Sequence, residues 1–139
     1  MKKLSRILTA VLAALLLFAA VGCAKKAEGL WNTALYTQDT TLGTGSKTIT
    51  VVVEAEEKKV TFTVKTDAAT VGDALLENKL VEGDMGEYGL YVKKVNGMLA
   101  DYDVNQTYWA FNINGEMAMT GVDMTELTDG GSYELVLSK

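Results

Sequence analysis

YGLYVKKVNGMLADYDVNQTYWAFNINGEMAMTGVD, residues 88–123, concentrates Tyr88, Tyr91, Tyr102, Tyr108, Trp109 and Phe111 in one short run. Apolar and polar residues alternate through Leu90-Tyr91-Val92-Lys93 and again through Trp109-Ala110-Phe111-Asn112-Ile113. A period of two places alternate side chains on opposite faces of a strand. Asn96-Gly97 and Asn114-Gly115 suit type I′ turns, which need positive φ at both central residues. The run therefore reads as two β-hairpins, with strands over Tyr88–Val95 and Thr107–Ile113 and short returns at Met98–Tyr102 and Glu116–Met119.

Working outward, Thr48–Glu54 is β-branched and Lys59–Thr66 alternates cleanly, with Ala55–Lys58 as the turn between them. Val60, Phe62 and Val64 share the face expected to be buried. Thr70 is a good N-cap with Asp73 three residues on, and Val71, Ala74, Leu75 and Leu76 form an apolar stripe. A helix this short needs packing on a sheet to persist. Glu82–Glu87 reads as an acidic, glycine-rich mobile loop, and Thr120–Thr128 as irregular with room for one helical turn. Asp129-Gly130-Gly131 is a turn before a terminal strand, Ser132–Leu137. Strands and helix are segregated, so the fold class is α+β, with one short helix on a mixed sheet carrying hairpins.

The first 22 residues are set aside. Lys2, Lys3 and Arg6 precede an apolar run, Ile7–Val21, that is short for a spanning helix and suits a secretory signal core. Ala20-Val21-Gly22-Cys23 resembles a bacterial lipobox, which implies a signal peptide over 1–22 and a lipidated Cys23. The expected location is extracytoplasmic, anchored to the cell membrane through lipid on Cys23. Cys23 is the chain's one cysteine, so no internal disulfide is available. Residues 23–47 read as a flexible tether, although Leu30, Trp31, Leu35 and Tyr36 also have the spacing of a helical turn or a docked segment. The folded domain is expected over 48–139.

Composition excludes several functions. Removing Lys2, Lys3 and Arg6 leaves ten basic against 18 acidic residues, a side-chain charge of −8. That balance argues against nucleic acid, whose binding rests on cationic contacts to phosphate. The chain has no histidine, which removes the Ser-His-Asp and Cys-His systems and the usual base near neutral pH. The remaining carboxylates, lysines and hydroxyls form no recognisable catalytic motif. A non-enzymatic role is expected.

Tyr88-Gly89-Leu90-Tyr91-Val92, Val95-Asn96-Gly97, Ala100-Asp101-Tyr102, Tyr108-Trp109-Ala110-Phe111, Ile113-Asn114-Gly115-Glu116, Met119-Thr120-Gly121-Val122-Asp123 and Tyr133-Glu134-Leu135 occur in a characteristic order. In that order they resemble the bacterial domain of unknown function 4430, which is similar to the C-terminal domain of transcobalamin and intrinsic factor. The resemblance covers Thr48–Lys139. It implies a β-grasp-like domain, which in the vitamin carriers covers one face of cobalamin. The carriers also have a large helical domain that grips the other face, and no counterpart of it is expected within these 139 residues.

Candidate binding residues follow from both lines. Trp109 and Phe111 share a strand face and suit a core, whereas Tyr91, Tyr102 and Tyr108 suit an aromatic platform for a flat apolar ligand. Trp109 itself, Met117 and Met119 stand beside that platform, methionine being adaptable at contact surfaces. The ligand implied by the resemblance is a corrinoid, or another flat small molecule. A protein-interaction or surface-assembly module using the same patch is the alternative. A weak divalent-metal site at Asp101, Asp103 and Asn105 is a third, although Gln106 and Asn112 stand where a calcium loop needs glycine and glutamate. The simpler reading of that segment is a solvated turn whose side chains cap backbone amides.

Overall fold

A computed structural model describes residues 29–139. The expected signal peptide, the lipidation of Cys23 and the start of the tether lie outside the described residues. Among these described residues, nine strands form two sheets. Six of them build a mixed sheet: β1 (Thr40–Gly43), β2 (Lys47–Ala55), β3 (Lys58–Thr66), β7 (Tyr108–Ile113), β8 (Glu116–Met117) and β9 (Ser132–Ser138), in the order β1-β3-β2-β9-β7-β8. The other three, β4 (Val81–Gly86), β5 (Gly89–Val95) and β6 (Met98–Leu99), form a small antiparallel sheet in chain order. The α+β class holds, but the single mixed sheet expected from the sequence is corrected to two. No helix among the described residues is long and apolar enough to cross a membrane.

The large sheet follows from residue patterning. In β2, Ile49, Val51 and Val53 are buried, and in β3 Val60, Phe62 and Val64 are, while the residues between them face outward. Antiparallel register pairs Val51 with Phe62, and a parallel ladder sets Val51 against Tyr133 of β9. Helix α1 (Val71–Glu77) is capped as expected, the Asp73 N–H donating to Thr70 Oγ1 at 3.1 Å. Its Val71, Ala74 and Leu75 are fully buried, so packing sustains a seven-residue helix that would not persist alone. Leu76, expected in the same stripe, is 41% exposed, because it lies about 100° round the helix from Leu75.

Two local expectations change, and a third holds in an unusual conformation. Glu82–Glu87, read as a mobile loop, lies mostly in β4: five of the strand's six residues are exposed, so no alternation marks it, and a bulge falls between Glu82 and Gly83. Tyr102–Asn105, read as a turn, is a single helical turn (α2). The Ala55–Lys58 turn forms, but with Glu56 and Glu57 at φ 51° and 64°, a conformation usually left to glycine or asparagine.

The largest difference is in residues 29–47. From Gly29 onward the expected tether is folded. Leu30–Thr33 forms a 3-10 turn, Thr40–Gly43 adds to the sheet edge beside β3, and Tyr36 packs edge-on against Phe62 with ring centroids 5.6 Å apart. The Trp31 indole donates to Ala55 O at 2.9 Å, and Lys58 lies 4.9 Å from its ring. Docking is completed at the Asn96-Gly97 turn. Asn96 is fully buried, accepts from Tyr36 N–H at 2.9 Å through Oδ1 and donates to Tyr36 O at 2.8 Å through Nδ2. Its backbone N–H donates to Leu80 O, and its carbonyl accepts from Leu35 N–H. Gly97, at φ 79°, permits this contact, since a Cβ there would lie 2.5 Å from Thr33 O.

Asn96→Ala should therefore leave the Tyr36 backbone groups unpaired and put alanine at φ 52°. The expected cost is about 2–4 kcal/mol in urea unfolding. Asn96→Gly should remove the backbone strain but not the hydrogen-bond loss, and so recover only a minor part of that cost.

Candidate functional site

The two sheets meet at a cavity of about 140 Å³. Strand β5 contributes Leu90, Tyr91 and Val92, β7 contributes Tyr108, Trp109 and Phe111, and Gly121 closes it together with Val122, the first residue of the 3-10 turn Val122–Met124. Leu135 of β9 completes the wall. Both strand segments belong to the aromatic hairpin run, so its two halves face each other across the seam. Phe111 of β7 stacks on Tyr133 of the neighbouring β9 at 6.1 Å, a contact between adjacent strands of the large sheet.

Three of the expected binding residues come together here: Tyr91, Tyr108 and Trp109. Tyr108, expected on the face opposite Trp109, borders the same cavity at the first residue of β7. Tyr102 does not join them. It sits over α2, where a shallow depression is formed by Tyr102–Gln106 alone. Met117 and Met119 also lie outside the lining and are 75% and 97% exposed. The platform is thus smaller than expected from the sequence, because α2 carries Tyr102 away from the seam.

The electrostatics of the seam are unusual. Trp109 is only 7% exposed, and its indole N–H has no hydrogen-bond acceptor. Asp123 Oδ1 is likewise buried without a donor. Buried polar atoms are nearly always paired, so each of these orphans stands out; Trp109 lines the cavity and Asp123 lies outside its lining. The Asp123 carboxylate lies against Gly89 and Gly121, where an added Cβ would come within 2.8 and 3.3 Å of Oδ1. Glycine at 89, with φ 101°, makes room for that carboxylate at the end of β5. Sequence reasoning overlooked Asp123; its one signal was its place at the end of the Met119–Asp123 motif. Beside Tyr91, Lys93 Nζ lies 3.0 Å from Asp84 and 5.9 Å from the Tyr91 ring. The hydrogen bond to Asp84, reinforced by its charge, raises the Lys93 ammonium above the usual lysine range.

The Asp101–Asn105 segment is built as a capped turn. Asp101 Oδ1 accepts from Asp103 N–H at 3.0 Å, and Asn105 Oδ1 accepts from both the N–H and the hydroxyl of Thr107. Among the described residues, no three Cys, Asp or Glu side chains gather as metal ligands.

The fold is that of a small two-sheet α+β module whose aromatic seam is its most distinctive feature. The chain belongs to the family described as a domain of unknown function (DUF4430), which matches residues 68–135. It is similar, at 37% identity and a TM-score of 0.64, to a provisionally named metal-binding protein from Ruminococcus gnavus, over 68% of this chain and 98% of that one. It is also similar to haptocorrin in complex with Cbi, at 20% identity and a TM-score of 0.51, over 70% of this chain and 26% of that one. The second likeness is one of fold, and it spans about a quarter of haptocorrin. No curated protein matches the sequence.

Trp109→Phe removes an N–H that has no acceptor, so the loss of packing is partly offset and the expected cost is below about 1 kcal/mol. Tyr133→Phe removes the oxygen that accepts from Thr128 N–H at 3.1 Å and should cost about 1–2 kcal/mol. Paired urea titrations check the order of the two.

Proposed function

We propose that the chain is a non-enzymatic binding module, anchored outside the cytoplasmic membrane through lipid on Cys23, that holds a flat, largely apolar small molecule at the seam. A corrinoid is the first candidate. The observation that carries this reading is the buried, acceptor-less indole N–H of Trp109 at a cavity bordered by Tyr91 and Tyr108. A ligand bearing a hydrogen-bond acceptor would satisfy that donor while its apolar surface meets the aromatic wall. The likeness in fold to haptocorrin, whose structure holds Cbi, and a β-grasp-like reading of the sheet topology support the corrinoid choice. The absence of histidine from the whole chain supports a role without catalysis.

Size limits how the ligand sits. Small-molecule pockets usually measure about 300–1,000 Å³, well above this cavity. The cavity takes an edge or a substituent, and the body of the ligand rests outside on Tyr91, which is 45% exposed. Partial enclosure by a few aromatic contacts, each worth about 0.5–1.5 kcal/mol beyond burial, suits micromolar binding or weaker.

A protein partner is the second reading, favoured by a specific surface. Met85, Tyr88, Met119 and Met124 are each more than half exposed. The approach of Gly89 to Asp123 brings the β4–β5 hairpin tip to the segment carrying Met124. A weak metal site is the third, supported by the name of the Ruminococcus gnavus relative.

Cyanocobalamin titrated into residues 29–139 should change the corrin absorbance and quench Trp109, and Tyr91→Ala should weaken binding at least about fivefold. No spectral change up to about 1 mM ligand would end the corrinoid reading. A melting temperature raised by calcium and returned to its starting point by Asp101→Ala would favour the metal instead. Cys23→Ser should release the protein from the membrane fraction, and retention there would overturn the anchor.

A further inference from the structure

A separate cleft of about 530 Å³ lies where the segment Leu30–Leu35 crosses the small sheet. It shares no lining residue with the seam cavity. Its volume falls within the usual range for small-molecule sites, which the seam cavity does not reach. Leu80 and Val81 are buried beneath it, while Leu35 and Leu99 at its lips are 58% and 45% exposed. Leu30 supplies a further apolar wall. The wall made by the N-terminal segment is fixed, because Leu35 and Tyr36 are bonded to Asn96.

The charges around this apolar floor are biased. Lys79 and Lys94 both border the cleft, and Glu82 is the one acid among its lining residues. Lys94 and Glu82 are 3.8 Å apart, too far for a good hydrogen bond. Among the described residues, Lys79 has no carboxylate within salt-bridge distance. Two ammonium groups and one carboxylate make a locally cationic rim on a chain of net charge −5. An apolar floor with a cationic rim complements a molecule with an aliphatic body and an anionic head.

We propose that this cleft is a second binding site, for a fatty carboxylate whose head lies between Lys79 and Lys94 and whose hydrocarbon covers Leu30, Leu35, Leu80 and Leu99. Lysine suits this role as a mobile point charge, its stem adding apolar contact. The site is independent of the seam, so a corrinoid ligand there neither supports nor undermines it.

Residues 29–139 hold the whole described core and both walls of the cleft, so this span is the test protein. Its ¹H–¹⁵N spectrum would be recorded with sodium decanoate below the micellar range, and with decyltrimethylammonium as a control of equal tail length. The expected result is saturable shifts at Leu35, Gly97 and Leu99 with decanoate, at least tenfold weaker with decyltrimethylammonium. K79Q/K94Q, which changes two surface side chains, should weaken decanoate binding at least tenfold while leaving the unliganded spectrum folded. Leu99→Asp should abolish it. Equal binding of the two amphiphiles, an unchanged affinity in K79Q/K94Q, or shifts confined to the seam would each overturn the proposal.

Discussion

The amide side chain of Asn96 joins parts of the molecule that no strand connects. The small sheet and the large sheet share no ladder, and the N-terminal segment belongs to neither where it crosses the β5–β6 turn. Asn96 pairs with Tyr36 through both ends of its amide, as a neighbouring strand would, and its backbone bonds Leu80 and Leu35. A buried amide is costly unless every polar group is matched. Here Oδ1, an Nδ2 N–H and both backbone groups are, so the turn fixes where the segment, the helix exit and the small sheet lie relative to one another. Gly97 follows because only a residue without a side chain leaves room for Thr33.

Much of this was legible because patterning and turn chemistry are local. Val60, Phe62 and Val64 announce their buried face by alternation, Thr70 announces a helix start, and the two Asn-Gly pairs announce their turns. What could not be read depends on partners distant in sequence. β4 is exposed on nearly every residue, so no periodicity separates it from a loop; it exists because β5 offers it an edge. The docking of Leu30–Tyr36 rests on contacts with residues up to 60 positions away, at Asn96. Glu56 and Glu57 occupy a turn that favours other residues, and the Glu56 carboxylate accepts from Leu30 N–H, a bond no local rule anticipates.

The candidate site was legible in part for the same reason. Tyr91, Tyr108 and Trp109 meet because β5 and β7 face each other at the seam. Tyr102 is only a few residues from Tyr108, yet a single helical turn carries it elsewhere. Asp123 enters through two glycines that let a carboxylate approach a strand end, a relation visible only in three dimensions. The seam is narrow and aromatic, whereas the cleft beside the N-terminal segment is wider, aliphatic and rimmed by lysines. Two apolar concavities of such different chemistry on one small domain are suited to different occupants.

The docking of the N-terminal segment also sets a height. With the anchor at Cys23 proposed above, five residues separate it from Gly29, rather than a tether reaching to residue 47. At about 3.3–3.6 Å per residue, even a fully extended link of this length holds Gly29 within roughly 22 Å of the anchored residue. The domain would ride close to the lipid headgroups with its first turn lowermost, instead of ranging freely above them. A molecule reaching it from outside would then meet the faces farthest from Gly29 first.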